Sequence, residues 1–243
     1  MSTVDQFAVR LDDAVTSRIA IPSSGAGTGL DVPTAYRVQQ AVVDRRLARG
    51  ERAVGLKLGL TSRAKMTQMG VDEVIWGRLT DAMRIPDGGT VRLDDHIHPK
   101  AEPEVAFLVE GGAVTAVAPA IEVIDSRYVD FRFTLPEVIA DNTSASGFVL
   151  GAWQPIPDGI DNLGVLLEVD GRAVQVGSTA AILGDPRRAL SDAVRLADVN
   201  GVDLADNSIL LAGAATAAVP LRAGSYVRVT VERLGTASLR VGS

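Results

Sequence analysis

Two glutamates spaced two residues apart form the stretch of this sequence best suited to chemistry. Glu102 and Glu104 lie in the run Lys100-Ala101-Glu102-Pro103-Glu104-Val105-Ala106-Phe107. Alternate side chains of a β-strand point to the same face, so we expect the two carboxylates to lie side by side. Such a pair is costly to keep ionised near a core unless a cation lies between the carboxylates. The pattern therefore favours a divalent cation such as Mg²⁺, although two glutamates on a solvated strand face would show the same spacing.

A lysine in an apolar strand is the second candidate. Lys57 lies in the run of residues 53–60, between Gly55 and Gly59, and glycines in a strand allow a ligand or another backbone to approach closely. The ammonium could reach solvent at a strand edge. Alternatively, it could hold an anionic substrate, or carry a proton if burial lowers its pKa.

Further polar residues interrupt apolar segments later in the chain. Glu122 stands among aliphatic neighbours, and the cluster Asp141-Asn142-Thr143-Ser144 precedes the apolar Phe148-Val149-Leu150. The cluster could cap a helix or donate hydrogen bonds into a pocket. Three carboxylates, one lysine and such a cluster suit metal-assisted chemistry on a 2-oxo acid, because its carboxylate and keto oxygens could chelate the metal.

These side chains must be positioned by a fold in which strands dominate after the first 50 residues. Helical periodicity predicts helices over residues 3–18, from the cap at Asp31 to Gly50, over 62–69 and over 186–199. Glycines predict hairpin turns at Gly111-Gly112 and Asp170-Gly171. Because strands and helices do not alternate regularly, we predict an α+β fold. A curled mixed β-sheet would span 53–243 and a small helical N-terminal appendage 1–52.

Composition limits the possible partners. The chain has 243 residues, 47% of them apolar, and a net charge of −6, which disfavours binding to nucleic acid or to anionic membranes. It has no cysteine, which excludes disulfides, iron–sulfur clusters and a thiol nucleophile, and only two histidines. No signal peptide and no apolar run of the ~20 residues that span a bilayer is visible, so we expect a cytoplasmic protein.

Several runs together resemble a known family. They are Gly55-Leu56-Lys57-Leu58-Gly59-Leu60-Thr61-Ser62, Ala64-Lys65-Met66-Thr67-Gln68-Met69-Gly70-Val71, Ile97 to Phe107, Glu122-Val123-Ile124-Asp125-Ser126-Arg127-Tyr128 and Ala140-Asp141-Asn142. The chain resembles the hydratase/decarboxylase family of meta-cleavage pathways. This family comprises 2-oxopent-4-enoate hydratases and 4-oxalocrotonate decarboxylases, and is related to fumarylacetoacetate hydrolase. The resemblance implies a fumarylacetoacetate hydrolase-like β-roll, Mg²⁺ or Mn²⁺, homo-oligomers and a place in aromatic hydrocarbon catabolism.

The resemblance also assigns site residues. It implies catalytic roles for Lys57 and Ser144, with Thr143 or Ser146 as alternatives to Ser144. The residues that it assigns to the metal are Glu102, Glu104 and Glu122, and those that it assigns to a small 2-oxo acid substrate are Lys57, Thr61, Ser62, Arg127 and Asn142.

One position favours the decarboxylase branch. Hydratases of the family typically carry an aspartate just before the aromatic residue and glycine that are here Trp76 and Gly77, and this chain has Ile75 there. The resemblance thus implies decarboxylation of 2-oxohex-3-enedioate (4-oxalocrotonate) to 2-oxopent-4-enoate through a metal-bound dienolate. The run Ser146-Gly147-Phe148 is closer to the hydratases.

Two alternatives follow from the same resemblance. The protein could be a hydratase or a C–C hydrolase acting on a related oxo acid, or a non-catalytic partner in a complex with a pathway enzyme. The segment between Glu104 and Glu122 is shorter than the family pattern by roughly a dozen residues, in a region where loops tolerate deletion. This shortening could misplace Glu122. The glycine pair of the family is also reduced to Gly213-Ala214.

Overall fold

The computed structural model describes residues 2–25, 30–62, 66–67, 70–202 and 204–243. The short helix predicted over 62–69 lies mostly outside the described residues.

Four α-helices are present in these ranges: α1 Thr3–Ser17, α2 Val32–Ala48, α3 Leu135–Ala140 and α4 Arg188–Val199. Ser2 caps α1 in a capping box with Asp5, and the Asp31 carboxylate caps α2 by accepting a hydrogen bond from Thr34 N at 2.8 Å. The predictions of α1, α2 and α4 are confirmed to within two residues. No helix in the described part of the chain is both long and apolar enough to cross a membrane.

Thirteen strands lie within the described residues. They are β1 Ala53–Gly59, β2 Ile75–Thr80, β3 Arg84–Ile85, β4 Thr90–Arg92, β5 Lys100–Glu110, β6 Ala113–Ile124, β7 Ala145–Leu150, β8 Gly164–Val169, β9 Arg172–Ser178, β10 Ser208–Ala214, β11 Val219–Pro220, β12 Tyr226–Val231 and β13 Gly235–Gly242. Both predicted hairpin turns are confirmed, since β5 pairs with β6 and β8 with β9.

The strands form two sheets of mixed direction. The larger has the order β2-β1-β10-β5-β6-β7-β3, with β11 paired to β5, and the smaller has the order β4-β13-β12-β8-β9. Three pairs, β1 with β10, β3 with β7 and β13 with β4, are parallel, and the other pairs among these strands are antiparallel. The predicted α+β fold with a mixed sheet is confirmed. The division of the strands into two sheets was not predicted.

The main core lies on one face of the β5–β6 hairpin. Val105 and Phe107 of β5 and Ile121 and Val123 of β6 are fully buried and belong to one apolar cluster with strands of the smaller sheet, including Leu239 of β13. Because side chains alternate along a strand, Glu102, Glu104 and Glu122 point to the other face. The core thus anchors the strands that carry the carboxylates.

The N-terminal helices pack beside the larger sheet. Residues of α1, α2 and α3 share an apolar cluster with Ile75 and Tyr128. The buried Gln39 of α2 donates through Nε2 to the carbonyls of Trp76 at 2.8 Å and Ile139 at 3.0 Å. This helical layer supports the part of the sheet next to the site described below. A domain boundary between residues 52 and 53 stays a prediction.

Candidate active site

The β5–β6 hairpin places two of the three glutamates directly opposite each other. Its register pairs Glu102 with Glu122, and Glu104 with Ala120. The strands are joined by the two-residue turn Gly111-Gly112, so the short connection does not misplace Glu122. Residues 113–124 form one continuous strand that carries Glu122.

The three carboxylates form a compact buried cluster. One oxygen from each of Glu102, Glu104 and Glu122 lies within 4.8 Å of the others, and the residues are 7%, 1% and 0% exposed. Glu104 Oε2 accepts a hydrogen bond from Gly213 N at 3.0 Å. Within the described residues, Glu104 Oε1 and Glu122 Oε1 have no hydrogen-bond partner. Buried carboxylate oxygens without a partner are costly, and hard oxygen donors in this arrangement fit a divalent cation.

Lys57 lies against this cluster from strand β1, which is separated from β5 by β10. Its Nζ is 3.0 Å from Glu122 Oε2 and donates to the Thr143 carbonyl at 3.3 Å, and the residue is only 3% exposed. Burial by itself would lower the pKa of Lys57, but Glu122, Glu104 and Glu102 outweigh burial and raise the pKa. Without a bound cation the carboxylates therefore oppose the lowered pKa that the sequence left open for Lys57.

The carboxylates also influence one another. Burial, and next the charge of Glu122, raise the pKa of Glu104 well above its usual range, against the opposing effect of Lys57. Burial likewise raises the pKa of Glu122. With all three glutamates ionised, Lys57 balances only one of three negative charges. A divalent cation would neutralise the other two and favour the ionised carboxylates.

A cavity of about 260 Å³ opens beside the cluster. Its polar lining consists of Lys57, Glu102, Thr143 and Ser144, and its other lining residues are Gly59, Leu60, Ile75, Ile124, Phe131, Phe133 and Val138. Ser144 Oγ is buried and has no hydrogen-bond partner among the described residues. The cavity thus has one charged end and an extended apolar wall.

Two lining aromatics were not predicted from the sequence. The Phe131 ring lies against the His98 ring at a tilt of 32°, with 4.8 Å between the centroids, and Lys100 Nζ lies 3.8 Å from the centroid of the Phe131 ring. Phe133 packs edge-on against Tyr128. Aromatic residues make up only 4% of the chain, so their concentration after Tyr128 was the available signal.

The other residues assigned by resemblance do not line this cavity. Thr61 and Ser62 border a second cavity of about 470 Å³, next to Leu183 and Arg188. Thr61 packs tightly against Gly213, where a Cβ atom would lie 2.2 Å from Thr61 Oγ1.

Arg127 is buried and engaged with protein groups. Its guanidinium pairs with the Asp141 carboxylate and donates to the carbonyls of Asp125, Ala145 and Asp141. The Asp125 carboxylate instead accepts hydrogen bonds from Ile97 N and His98 N, each at 2.8 Å. Arg127 thus joins the segment after β6 to the segment before β7.

The sequence comparison decides the family. No protein-family model matches the chain. The chain is 49% identical to a 4-oxalocrotonate decarboxylase of Pseudomonas sp over 97% of this chain and 96% of the relative. The chain belongs to the 4-oxalocrotonate decarboxylase and hydratase family. Its similarity extends to a 2-hydroxypent-2,4-dienoate hydratase of Pseudomonas putida, at 34% identity over 75% of this chain and 90% of that relative.

A solved structure of the same decarboxylase and hydratase family has the same fold. The 4-oxalocrotonate decarboxylase from Pseudomonas putida G7, complexed with magnesium and adipate, aligns with a TM-score of 0.93 and 34% identity, over 98% of this chain and 97% of that structure. The family resemblance predicted from the sequence is confirmed.

Proposed function

We propose that this protein is a divalent-metal-dependent lyase that decarboxylates 2-oxohex-3-enedioate (4-oxalocrotonate) to 2-oxopent-4-enoate. The observation that carries the proposal is the buried cluster of Glu102, Glu104 and Glu122 beside Lys57, at the charged end of a mostly apolar cavity. Relatives with this activity in their names include the 49% identical protein of Pseudomonas sp.

The carboxylates of Glu102, Glu104 and Glu122 would hold the cation, for which we propose Mg²⁺ or Mn²⁺ because all three donors are hard oxygens. When bound, the cation supplies Lewis-acid polarisation of a keto group. Two observations support the fit: the oxygens of Glu104 and Glu122 that lack hydrogen-bond partners among the described residues, and the presence of three buried carboxylates beside Lys57.

We assign to Lys57 the stabilisation of the negative charge that develops on the substrate's keto oxygen. Cleavage of the bond to the distal carboxylate releases CO₂, and the electron pair moves through the conjugated double bond to the keto oxygen. A proton added to the carbon next to the former keto group then completes the product. Lys57 Nζ is buried beside Glu122, and as an ammonium it would stabilise the negative oxygen and deliver that proton. Ser144 Oγ, which lines the same cavity, is available to hydrogen-bond the substrate.

The apolar wall favours decarboxylation. Leu60, Ile75 and Val138 offer no charge to a substrate carboxylate that lies against them. A substrate carboxylate that lies there would lose its hydration and be destabilised. Decarboxylation would remove this cost, because the carboxylate leaves as neutral CO₂ and the negative charge moves to the polar end of the cavity. Hydration would require a group that activates water, and position 75 carries an isoleucine.

Hydration of 2-hydroxypenta-2,4-dienoate is the alternative function. Two observations favour this alternative: the 34% identical hydratase of Pseudomonas putida, and the Ser144 hydroxyl, which has no hydrogen-bond partner among the described residues. A non-catalytic role would not explain why Glu102, Glu104, Glu122 and Lys57 are all present and lie together in one buried cluster.

The experiment is to incubate purified protein with Mg²⁺ and 2-oxohex-3-enedioate, and separately with 2-hydroxypenta-2,4-dienoate. We expect metal-dependent CO₂ release that a chelator stops and added Mg²⁺ restores. Water addition without CO₂ release would establish the hydratase. Inactivity on both substrates, with no change of melting temperature on adding Mg²⁺, would establish the non-catalytic role.

We further propose that the protein acts in the cytoplasm as a homo-oligomer, alone or bound to a partner enzyme of the pathway. These proposals come from the sequence and the family pattern. Light scattering after size-exclusion chromatography would give the mass of the assembly, and a monomer at all concentrations would contradict the homo-oligomer.

A further inference from the structure

The turn that carries Ser144 has an unusual backbone. Asn142, Thr143 and Ser144 have φ angles of +49°, +51° and +60°, so three successive non-glycine residues adopt the left-handed region. This conformation is unfavourable for L-residues, although asparagine tolerates it better than most. Such a turn persists only where its surroundings hold it in place.

The side chain of Asn142 is the main clamp on this turn. Its Oδ1 accepts a hydrogen bond from Arg78 N at 2.8 Å, and its Nδ2 donates to the Arg78 carbonyl at 2.9 Å. The amide thus binds both backbone groups of one residue of β2. Asn142 is 3% exposed and is absent from the lining of the cavity.

Gly77 lets β2 approach the turn from the same side. A Cβ atom at this position would lie 2.3 Å from Thr143 Oγ1 and 2.6 Å from the Asn142 carbonyl oxygen. Gly77 is also the register partner of Lys57 on β1. The contact between β2 and the turn is therefore made directly beside the strand position that carries Lys57.

The clamped turn presents two groups to the site. The Thr143 carbonyl accepts the hydrogen bond from Lys57 Nζ, and Ser144 Oγ lies buried at the cavity without a partner in the described protein. Relaxation of the turn would move both groups relative to Lys57, whose other neighbour is Glu122.

We propose that Asn142 and Gly77 are positioning residues, which hold the turn in its left-handed conformation and thereby set the Thr143 carbonyl against Lys57 and the Ser144 hydroxyl at the cavity. This inference rests on the proposed function for its kinetic consequence. It replaces the substrate contact that the resemblance assigned to Asn142 with a contact to Arg78. Gly77 contributes to the same positioning by allowing close approach of β2, and it has no side chain that could contact a substrate.

The test compares Asn142→Ala and Gly77→Ala with Asn200→Ala, a control that also removes an amide-to-carbonyl hydrogen bond, here to Leu196 in α4. We expect both turn variants to lower kcat by up to about 100-fold, the effect of a small misplacement of a reacting group. We expect KM and the dissociation constant for Mg²⁺ to stay within about threefold of wild type in these variants, because the contacts that bind substrate and transition state equally well are kept. The control should match wild type.

A rise in KM without a fall in kcat for Asn142→Ala would show a substrate contact and overturn the proposal, as would wild-type kcat in both turn variants. If alanine at position 142 prevents folding, Asn142→Gly, which accepts positive φ without the amide, replaces it. An inactive wild-type protein would refute the proposed function only. In that case crystal structures of wild type and Asn142→Ala test the positioning role. An unchanged turn in the variant would overturn this role, and separation of Lys57 Nζ from the Thr143 carbonyl would support it.

Discussion

Lys57 Nζ and Glu122 Oε2 lie 3.0 Å apart in a site from which solvent is almost fully excluded. This ion pair connects strands β1 and β6, which are not neighbours in the sheet. A buried lysine that only balanced charge would matter mainly for stability, whereas a lysine that stabilises the reaction's negative charge matters mainly for turnover.

We expect Lys57→Met to lower kcat by about 10²–10⁴-fold, the usual contribution of a positioned proton donor. In Mg²⁺ the cation still balances two of the three carboxylate charges, so we expect the melting temperature to fall by only a few degrees. Steady-state kinetics and thermal unfolding in Mg²⁺ are the measurements. A stability loss in proportion to the activity loss would make the lysine structural.

Glu104→Gln should remove metal-dependent activity and leave the fold intact. Burial raises the pKa of Glu104 well above its usual range, so a neutral amide should cost the metal-free protein little stability. Binding of Mg²⁺ to wild type should add about 2.7 kcal/mol to the free energy of unfolding at about 100 times its Kd, and the variant should lose this increment. Glu168→Gln, which changes a glutamate paired with Arg228 on the smaller sheet, is the matched control. Full activity in Glu104→Gln would remove this residue from the metal site.

Ile75→Asp should impair decarboxylation, because a carboxylate in the apolar wall repels the substrate's distal carboxylate. We expect kcat/KM to fall at least about tenfold, or about 1.4 kcal/mol. Ile75→Asn, similar in shape to aspartate and uncharged, should lose much less, and Ile75→Val should resemble wild type. Equal losses in the aspartate and asparagine variants would show that charge at this position has no role. A gain of hydratase activity in Ile75→Asp would support the division between the two branches.

Glu137 should contribute to stability in a pH-dependent way. Burial alone would raise its pKa, but hydrogen bonds from Ser23 Oγ at 2.6 Å, Thr134 N at 2.8 Å and Ser24 N at 2.7 Å outweigh burial and lower the pKa below its usual 4.5. A carboxylate with a lowered pKa stabilises the fold above its unfolded-state pKa, and this stabilisation is lost as the pH falls through the folded-state value.

We therefore expect Glu137→Gln to be less stable than wild type at neutral pH by about 1–3 kcal/mol. The difference should shrink as the pH falls below 4.5, where wild type loses the same contribution. Urea unfolding over this pH range measures it. A difference independent of pH would show that the charge of Glu137 contributes nothing.

The sequence was informative where local pattern alone determines structure. The two-residue spacing of Glu102 and Glu104 placed both on one face of a strand, and caps such as Asp31 marked helix starts. Glu122 was assigned from the family resemblance, because its position depends on the hairpin register, which pairs it with Glu102 across 20 residues. The division of the strands into two sheets depends on long-range packing, which period-two patterns do not specify.

Side-chain partners were harder to predict than elements. Arg127 reads as a cation available to an anionic substrate, yet it pairs with Asp141 in the interior. Asn142 reads as a pocket donor, yet it binds the backbone of Arg78. Helix α3 was missed because it has only six residues, although its capping box of Thr134 and Glu137 was present in the sequence.

Anomalous diffraction from crystals soaked in Mn²⁺ shows whether the three glutamates hold the cation. We expect one strong manganese peak among the carboxylates of Glu102, Glu104 and Glu122, and no peak there in Glu104→Gln crystals treated in the same way. A site that stays empty at saturating Mn²⁺, or a manganese ion bound away from these three glutamates, would rule out the proposed metal site.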